Sequence, residues 1–181
     1  MKVIFYVVGG TGLGHLNRGI LIANEVKKID DKSEFLFITN CPFTLPLEEN
    51  EFHHILLDET KELDDKSNFD NIIKIVNDFD PDLIFWDSSF FLSVLKRLEK
   101  TRIKNIFVWR KFKNNLIEHR INSGVLDYFD HVLIPHSKSE LLELGLENKT
   151  LNSFVEDKKV FFLGSIVKKS VFDGEIGRAH V

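Results

Sequence analysis

The chain has 181 residues, 43% of them hydrophobic, and a formal net charge of −4 at pH 7. Its 17 phenylalanines supply apolar bulk for a sizeable core, while the acidic balance excludes the basic footprint of a nucleic-acid binder. The single cysteine, Cys41, excludes an internal disulfide framework and fits a reducing compartment. No apolar run reaches the roughly 18 residues that a membrane span requires, so a cytoplasmic protein is expected, with one domain or one domain and an incomplete second.

The first element is the apolar run Val3–Val8, read as a buried strand, and Leu16–Ile29 reads as an amphipathic helix. Between them lies Gly9-Gly10-Thr11-Gly12-Leu13-Gly14-His15, whose glycines let the backbone approach a ligand closely. The helix start that follows aims unpaired N–H groups at that loop. Glu34–Thr39 is the second predicted strand, and Pro42 and Pro46 are expected to break the segment after it. Phe52–Leu57 is the third strand, and Asp58–Asp65 an exposed loop. From Phe69 to Phe79, Ile72, Ile73, Ile75, Val76 and Phe79 recur at helical spacing. Asp80-Pro81-Asp82 stops that helix and Leu83–Trp86 forms a continuous apolar strand. After Asp87-Ser88-Ser89 comes a helix starting near Ser89 and carrying Phe91, Val94, Leu95 and Leu98. Ile106–Trp109 is the next strand, with Arg110 at its end. A polar helix around Asn114–Asn122, the strand His131–Ile134, a helix near Ser139–Leu144 and a last strand, Val160–Leu163, complete the pattern, which Gly164 closes.

Strands apolar on both faces, alternating with helices, predict an α/β domain: a doubly wound, Rossmann-like parallel sheet with helices on both faces. Ligands of such sheets bind at the carboxyl ends of the strands, where Gly9–His15, Asn40, Asp87–Ser89, Arg110 and Pro135–Ser137 fall. A nicotinamide fingerprint fails, because His15 stands where G-x-G-x-x-G, read from Gly10, needs its third glycine. The second strand also ends in Thr39-Asn40, with no acidic residue for a ribose. A Walker-type loop fails as well, since no Gly-Lys-Ser/Thr follows.

Gly9–Arg18, with Leu21–Val26 after it, resembles the first loop and helix of GT-B glycosyltransferases. The likeness is greatest to relatives of the N-acetylglucosaminyltransferase of peptidoglycan lipid-intermediate synthesis and to the wider UDP-glycosyltransferase group. Pro81–Asp87 is similar to the strand before their acceptor-side loop, Ile106–Arg110 to the next strand, and Phe161–Val167 to the last N-domain strand entering the linker. The resemblance spans residues 1–169. It implies an N-terminal, acceptor-side domain over 1–164 and the start of an interdomain linker over 165–174. The C-terminal domain, which mainly binds the donor, is then missing, and the isolated chain is expected to be inactive. A nucleotide-sugar donor, UDP-linked, is implied as co-substrate, with no other cofactor and no metal. The acceptor is a glycan, a lipid-linked or a small molecule, and peripheral contact with the inner face of the membrane is compatible with the resemblance.

The resemblance also implies His15 as general base toward the acceptor hydroxyl, supported by Asp87. Substrate contacts fall to Gly10, Thr11, Gly12, Gly14, Asn17, Arg18, Ser88 and Arg110. Simpler roles stand beside these: His15 as a hydrogen bonder at the helix start, and Asp87 as an N-cap for the helix near Ser89. Many family members have proline at the position of Arg18. The Gly-His-x-x-Arg version is similar to a subset that includes nucleotide-sugar hydrolases, where an arginine meets a phosphate or sugar carboxylate; otherwise Arg18 is solvated or in a salt bridge. The alternative functions are therefore a hydrolase of the same fold and a non-catalytic, acceptor-binding subunit of a split transferase.

Asp80-Pro81-Asp82 spells the D-x-D of metal-dependent transferases, but its place favours a helix stop. His53-His54 alternates on a strand, which sends the rings to opposite faces, and His131 and His136 lack nearby ligands, so no metal site is predicted. Lys111, Phe112, Lys113 and Arg120 offer a basic, partly apolar patch for a membrane surface or an anionic acceptor, although a solvated helix face is preferred. Residues 175–181 back-translate as gag atc gga aga gca cac gtc, which contains the start of a short-read sequencing adapter. That segment is accordingly expected to be a non-native tail.

Overall fold

Both alternate sets of side chains of the first strand, β1 (Lys2–Val7), are buried beyond Lys2, as a strand covered on two faces requires. The computed structural model describes residues 1–8, 13–57, 66–109, 119–139, 153–154, 159–164 and 166. In order after β1 come α1 (Leu13–Ile29), β2 (Glu34–Thr39), α2 (Leu45–Glu49), β3 (His53–Leu56) and α3 (Lys66–Phe79). They are followed by β4 (Leu83–Asp87), α4 (Leu92–Leu98), β5 (Lys104–Val108), a 3-10 turn (Val125–Tyr128), β6 (His131–Ile134) and β7 (Val160–Phe162). The seven strands form one sheet in the order β3-β2-β1-β4-β5-β6-β7, and every pairing is parallel. This is the expected doubly wound sheet. Its winding reverses between β1 and β4, where open α/β sheets form a crevice.

Some boundaries move, each for a local reason. The first helix begins at Leu13, so Gly14 and His15 belong to its first turn. Pro46 does not break the chain; it sits in the first turn of α2, where its missing N–H costs no helix bond. The helix expected near Ser89 starts only at Leu92, because Phe91 is extended (φ −102°, ψ 117°) and serves as its N-cap residue. The predicted loop 58–65, most of the polar helix 114–122, most of the helix 139–144 and the tail lie outside the described residues; 119–122 and 138–139 are helical.

Strand alternation divides the core in two. Ile4, Tyr6, Trp86, Phe107 and Trp109 face one side with Ile72 and Val76 of α3 and Val94 and Leu98 of α4. Val3, Phe5, Val7, Phe37, Phe85 and Val108 face the other with Leu16, Ile20 and Ala23 of α1. On the α1 side Phe5 is stacked between Phe37 and Phe85, with both centroid separations 4.8 Å, so three rings tie β2, β1 and β4 together. Gly19 brings α1 onto this ladder: a Cβ there would stand 3.0 Å from the Phe37 ring. On the other side the buried Trp86 indole donates to Asn105 Oδ1 at 2.9 Å. The Asn105 N–H in turn donates to Asp130 Oδ2 at 2.9 Å, joining β4, β5 and the turn before β6.

Candidate active site

Asp87 ends β4 with the same parity as Phe85, so it faces α1 at the carboxyl edge of the sheet. Spacing of i and i+3 puts His15 and Arg18 on one face of α1, above it. Arg18 is only 6% exposed and Asp87 only 3%. Arg18 Nη1 donates to Asp87 Oδ1 at 2.9 Å and to Oδ2 at 3.0 Å. His15 Nδ1 lies 2.8 Å from Asp87 Oδ1. A carboxylate opposite a guanidinium is an acceptor, so Nδ1 carries the hydrogen and donates it. That tautomer leaves Nε2 with a lone pair on a side chain that is 22% exposed.

Two serines fix the loop that presents Asp87. Ser88 takes a left-handed conformation, φ 64°, which costs a non-glycine residue on the order of 1 kcal/mol. In return its N–H donates to Val108 O at 2.9 Å and its hydroxyl donates to Asp87 Oδ1 at 2.9 Å. The Ser89 hydroxyl donates to Val8 O, at the end of β1. The loop after β4 is thereby pinned to both neighbouring strands, and Asp87 Oδ1 accepts from His15, Arg18 and Ser88 together. Asp87 does not cap α4, whose N-cap residue Phe91 makes no side-chain capping bond.

Of the residues singled out by sequence, His15, Arg18, Asp87 and Ser88 converge. Gly14 and Asn17 are exposed in the first turns of α1, and Asn17 shares no hydrogen bond with the cluster. Gly10, Thr11, Gly12 and Arg110 lie outside the described residues. Asp82 accepts from the Lys2 N–H at 2.9 Å and Asp80 pairs with Arg102 at 2.9 Å, so the D-x-D caps and clamps the strand start. Among the described residues no group of His, Cys, Asp and Glu is placed to hold a metal, and no helix is long and apolar enough to cross a membrane.

Two features escape a reading by sequence. The partner of Arg18 is a carboxylate 69 residues away, and the only signal for it is the shared face with His15. Arg120, expected on a solvated helix face, is instead half-buried against Phe90, Phe107 and Trp109. Strand alternation puts Phe107 and Trp109 on one face, but no spacing rule brings Phe90 or Arg120 to them.

No family model and no curated protein matches the chain. Solved structures do resemble it. A glycosyltransferase from Rickettsia africae ESF-5 matches with a TM-score of 0.65 at 15% identity, over 90% of this chain and 42% of that one. A UGT transferase from Siraitia grosvenorii, solved in complex with UDP, gives 0.60 at 11% identity over 93% and 49%. MurG of Acinetobacter baumannii gives 0.59 at 9% identity over 94% and 47%. At such identities the likeness is one of fold alone: a Rossmann-like parallel sheet, one half of a GT-B fold. The chain spans about half the length of the structures it matches.

Proposed function

We propose that this chain is the acceptor-side half of a metal-independent glycosyltransferase, which moves a sugar from a UDP-linked donor to an acceptor hydroxyl with His15 as general base. The carrying observation is the His15–Asp87–Arg18 cluster at the carboxyl edge, with Nε2 of His15 making no hydrogen bond among the described residues. In the reaction the acceptor oxygen attacks the anomeric carbon and its proton passes to Nε2. The new C–O bond forms as the bond to UDP breaks, and UDP leaves with the electron pair. The imidazolium that results lies against the Asp87 carboxylate, which stabilises it. UDP in the Siraitia structure supports the choice of donor.

The donor-binding wall belongs, on this reading, to a second domain, in a longer form of the protein or on a partner chain. Leu13, Phe43, Leu45 and Leu92 are exposed in the helix starts and loops that follow β1, β2 and β4. This apolar rim supports a covering domain or a partly apolar acceptor, whether glycan, lipid-linked or small, at the cytoplasmic side. The hydrolase alternative needs Arg18 at a phosphate or sugar carboxylate, and the burial of Arg18 against Asp87 favours transfer instead. The test is UDP release from a panel of UDP-sugars by the protein with its donor half present. Wild type should turn over only when an acceptor is supplied, and His15→Ala should fall by roughly 100- to 10,000-fold. Near-normal turnover of His15→Ala would rule out the base.

A further inference from the structure

Arg120 lies on the face of the sheet opposite α1, beside the carboxyl ends of β4 and β5. Its guanidinium carbon is 5.6 Å from the centre of the Phe90 ring, 5.4 Å from Phe107 and 5.7 Å from Trp109. Phe107 and Trp109 are fully buried and Phe90 partly so, which makes the cage a fixed wall of the core. Ring faces attract a cation, but they do not replace the hydrogen bonds of its five N–H donors. Among the described residues no carboxylate pairs with Arg120, and no oxygen accepts from its guanidinium. Yet no buried side-chain nitrogen among them lacks a partner, so the unpaired donors of Arg120 reach solvent. Burial has also lowered the Arg120 pKa, as expected of a cation that is partly desolvated without a counter-charge. The other arginines near an acid, Arg18 and Arg102, both use one. Arg120 lies against three rings, partly desolvated, and its donors meet no acceptor among the described residues.

We propose that Arg120 in its aromatic cage is a binding site for an anionic oxygen group, a phosphate or a carboxylate, carried by a ligand lying over the ends of β4 and β5. A planar fork matches either group. Asp87 ends β4 and Phe90 follows three residues later, so the anion site and His15 belong to the same edge of the sheet. Taken with the sugar-transfer reading, on which this last step rests, the site makes the acceptor an acidic molecule.

The anion site can be tested without a donor, on this chain alone. Arginine side-chain and tryptophan indole NMR signals are followed while inorganic phosphate, and separately acetate, is added at constant ionic strength. Saturable movement of the Arg120 Nε–H and Trp109 signals is expected with at least one anion, and the stronger responder identifies phosphate or carboxylate as the group taken. Arg120→Gln should weaken the Trp109 response at least about tenfold, and Arg120→Lys should weaken it less. No saturable movement in wild type with either anion overturns the site, whatever the variants do, as does an unchanged Trp109 response in a folded Arg120→Gln. A positive titration alongside a failed UDP-release assay would keep the site and discard sugar transfer; the reverse pattern would do the opposite.

Discussion

Asp87 holds a guanidinium and an imidazole with one carboxylate, and the two partners differ in what their loss should do. Arg18 is buried, so removing it leaves a carboxylate in a dry place with only His15 and Ser88. Arg18→Ala should therefore destabilise the fold by roughly 3–5 kcal/mol, the range for breaking a buried ion pair from one side. His15 is partly exposed and makes one described hydrogen bond, so His15→Ala should cost only about 1–2 kcal/mol while removing most turnover. Denaturant unfolding and UDP release on the two variants check this opposite partition; a severe fold defect in His15→Ala with turnover retained would contradict it. The pairing of His15 with Asp87 was legible in chain order, since both follow apolar strands of the same parallel sheet. The partner of Arg18 was not, because helical spacing says which residues share a face and nothing about what that face meets.

At the scale of elements, α1 and β1 set the geometry of the site through a missing methyl. Gly19→Ala gains about 1 kcal/mol of helix propensity, yet its Cβ would press within 3.0 Å of Phe37, which is wholly buried and stacked. Overpacking of this kind costs about 1–3 kcal/mol. Net destabilisation is expected, read as a fall in thermal midpoint, and a rise would show that α1 can lift away. The β5–β6 junction should respond to pH. Burial alone would raise the Asp130 pKa, but the bonds from Lys104 and from the Asn105 N–H outweigh it and the net shift is downward. A lowered folded-state value gives stability that is present above the unfolded value, about 4, and is lost as pH falls through the folded one. Wild type should therefore lose more stability than Asp130→Asn as the pH is lowered below about 4; parallel curves would refute the linkage. Strand identities were legible because the apolar runs are short, rich in β-branched and aromatic residues and bounded by turn residues. The late start of α4 was not: it depends on the left-handed Ser88 and extended Phe91, conformations imposed by the bonds of Asp87, Ser88 and Ser89 to neighbouring strands.

For the whole molecule, parallel order places the candidate site where β1 and β4 part company, as the alternation of strands and helices led one to expect. What sequence could not supply was the aromatic cage of Arg120, assembled from the ends of β4 and β5 and a helical turn beyond them. The sugar-transfer proposal assigns donor binding to a second domain, so UDP should bind this chain no more tightly than inorganic phosphate does. Calorimetry on the chain, with and without a donor half, checks this; micromolar UDP binding by the chain alone would place the donor site here instead.

The hydrogen bonds of the Asp87 cluster have one further consequence. They join positions 72 and 69 residues apart, and Ser89 reaches back across 81 to the end of β1. During synthesis, the turn bearing His15 and Arg18 leaves the ribosome long before its carboxylate exists. Until β4 takes its place beside β1, seating α1 would bury the Arg18 guanidinium without the Asp87 carboxylate, which is expensive. The first helix therefore has good reason to stay loose on the growing chain. Its docking, the neutralisation of Arg18 and the orientation of His15 become a single late event, so that a chain able to hold this histidine in place is one whose central strands have already paired.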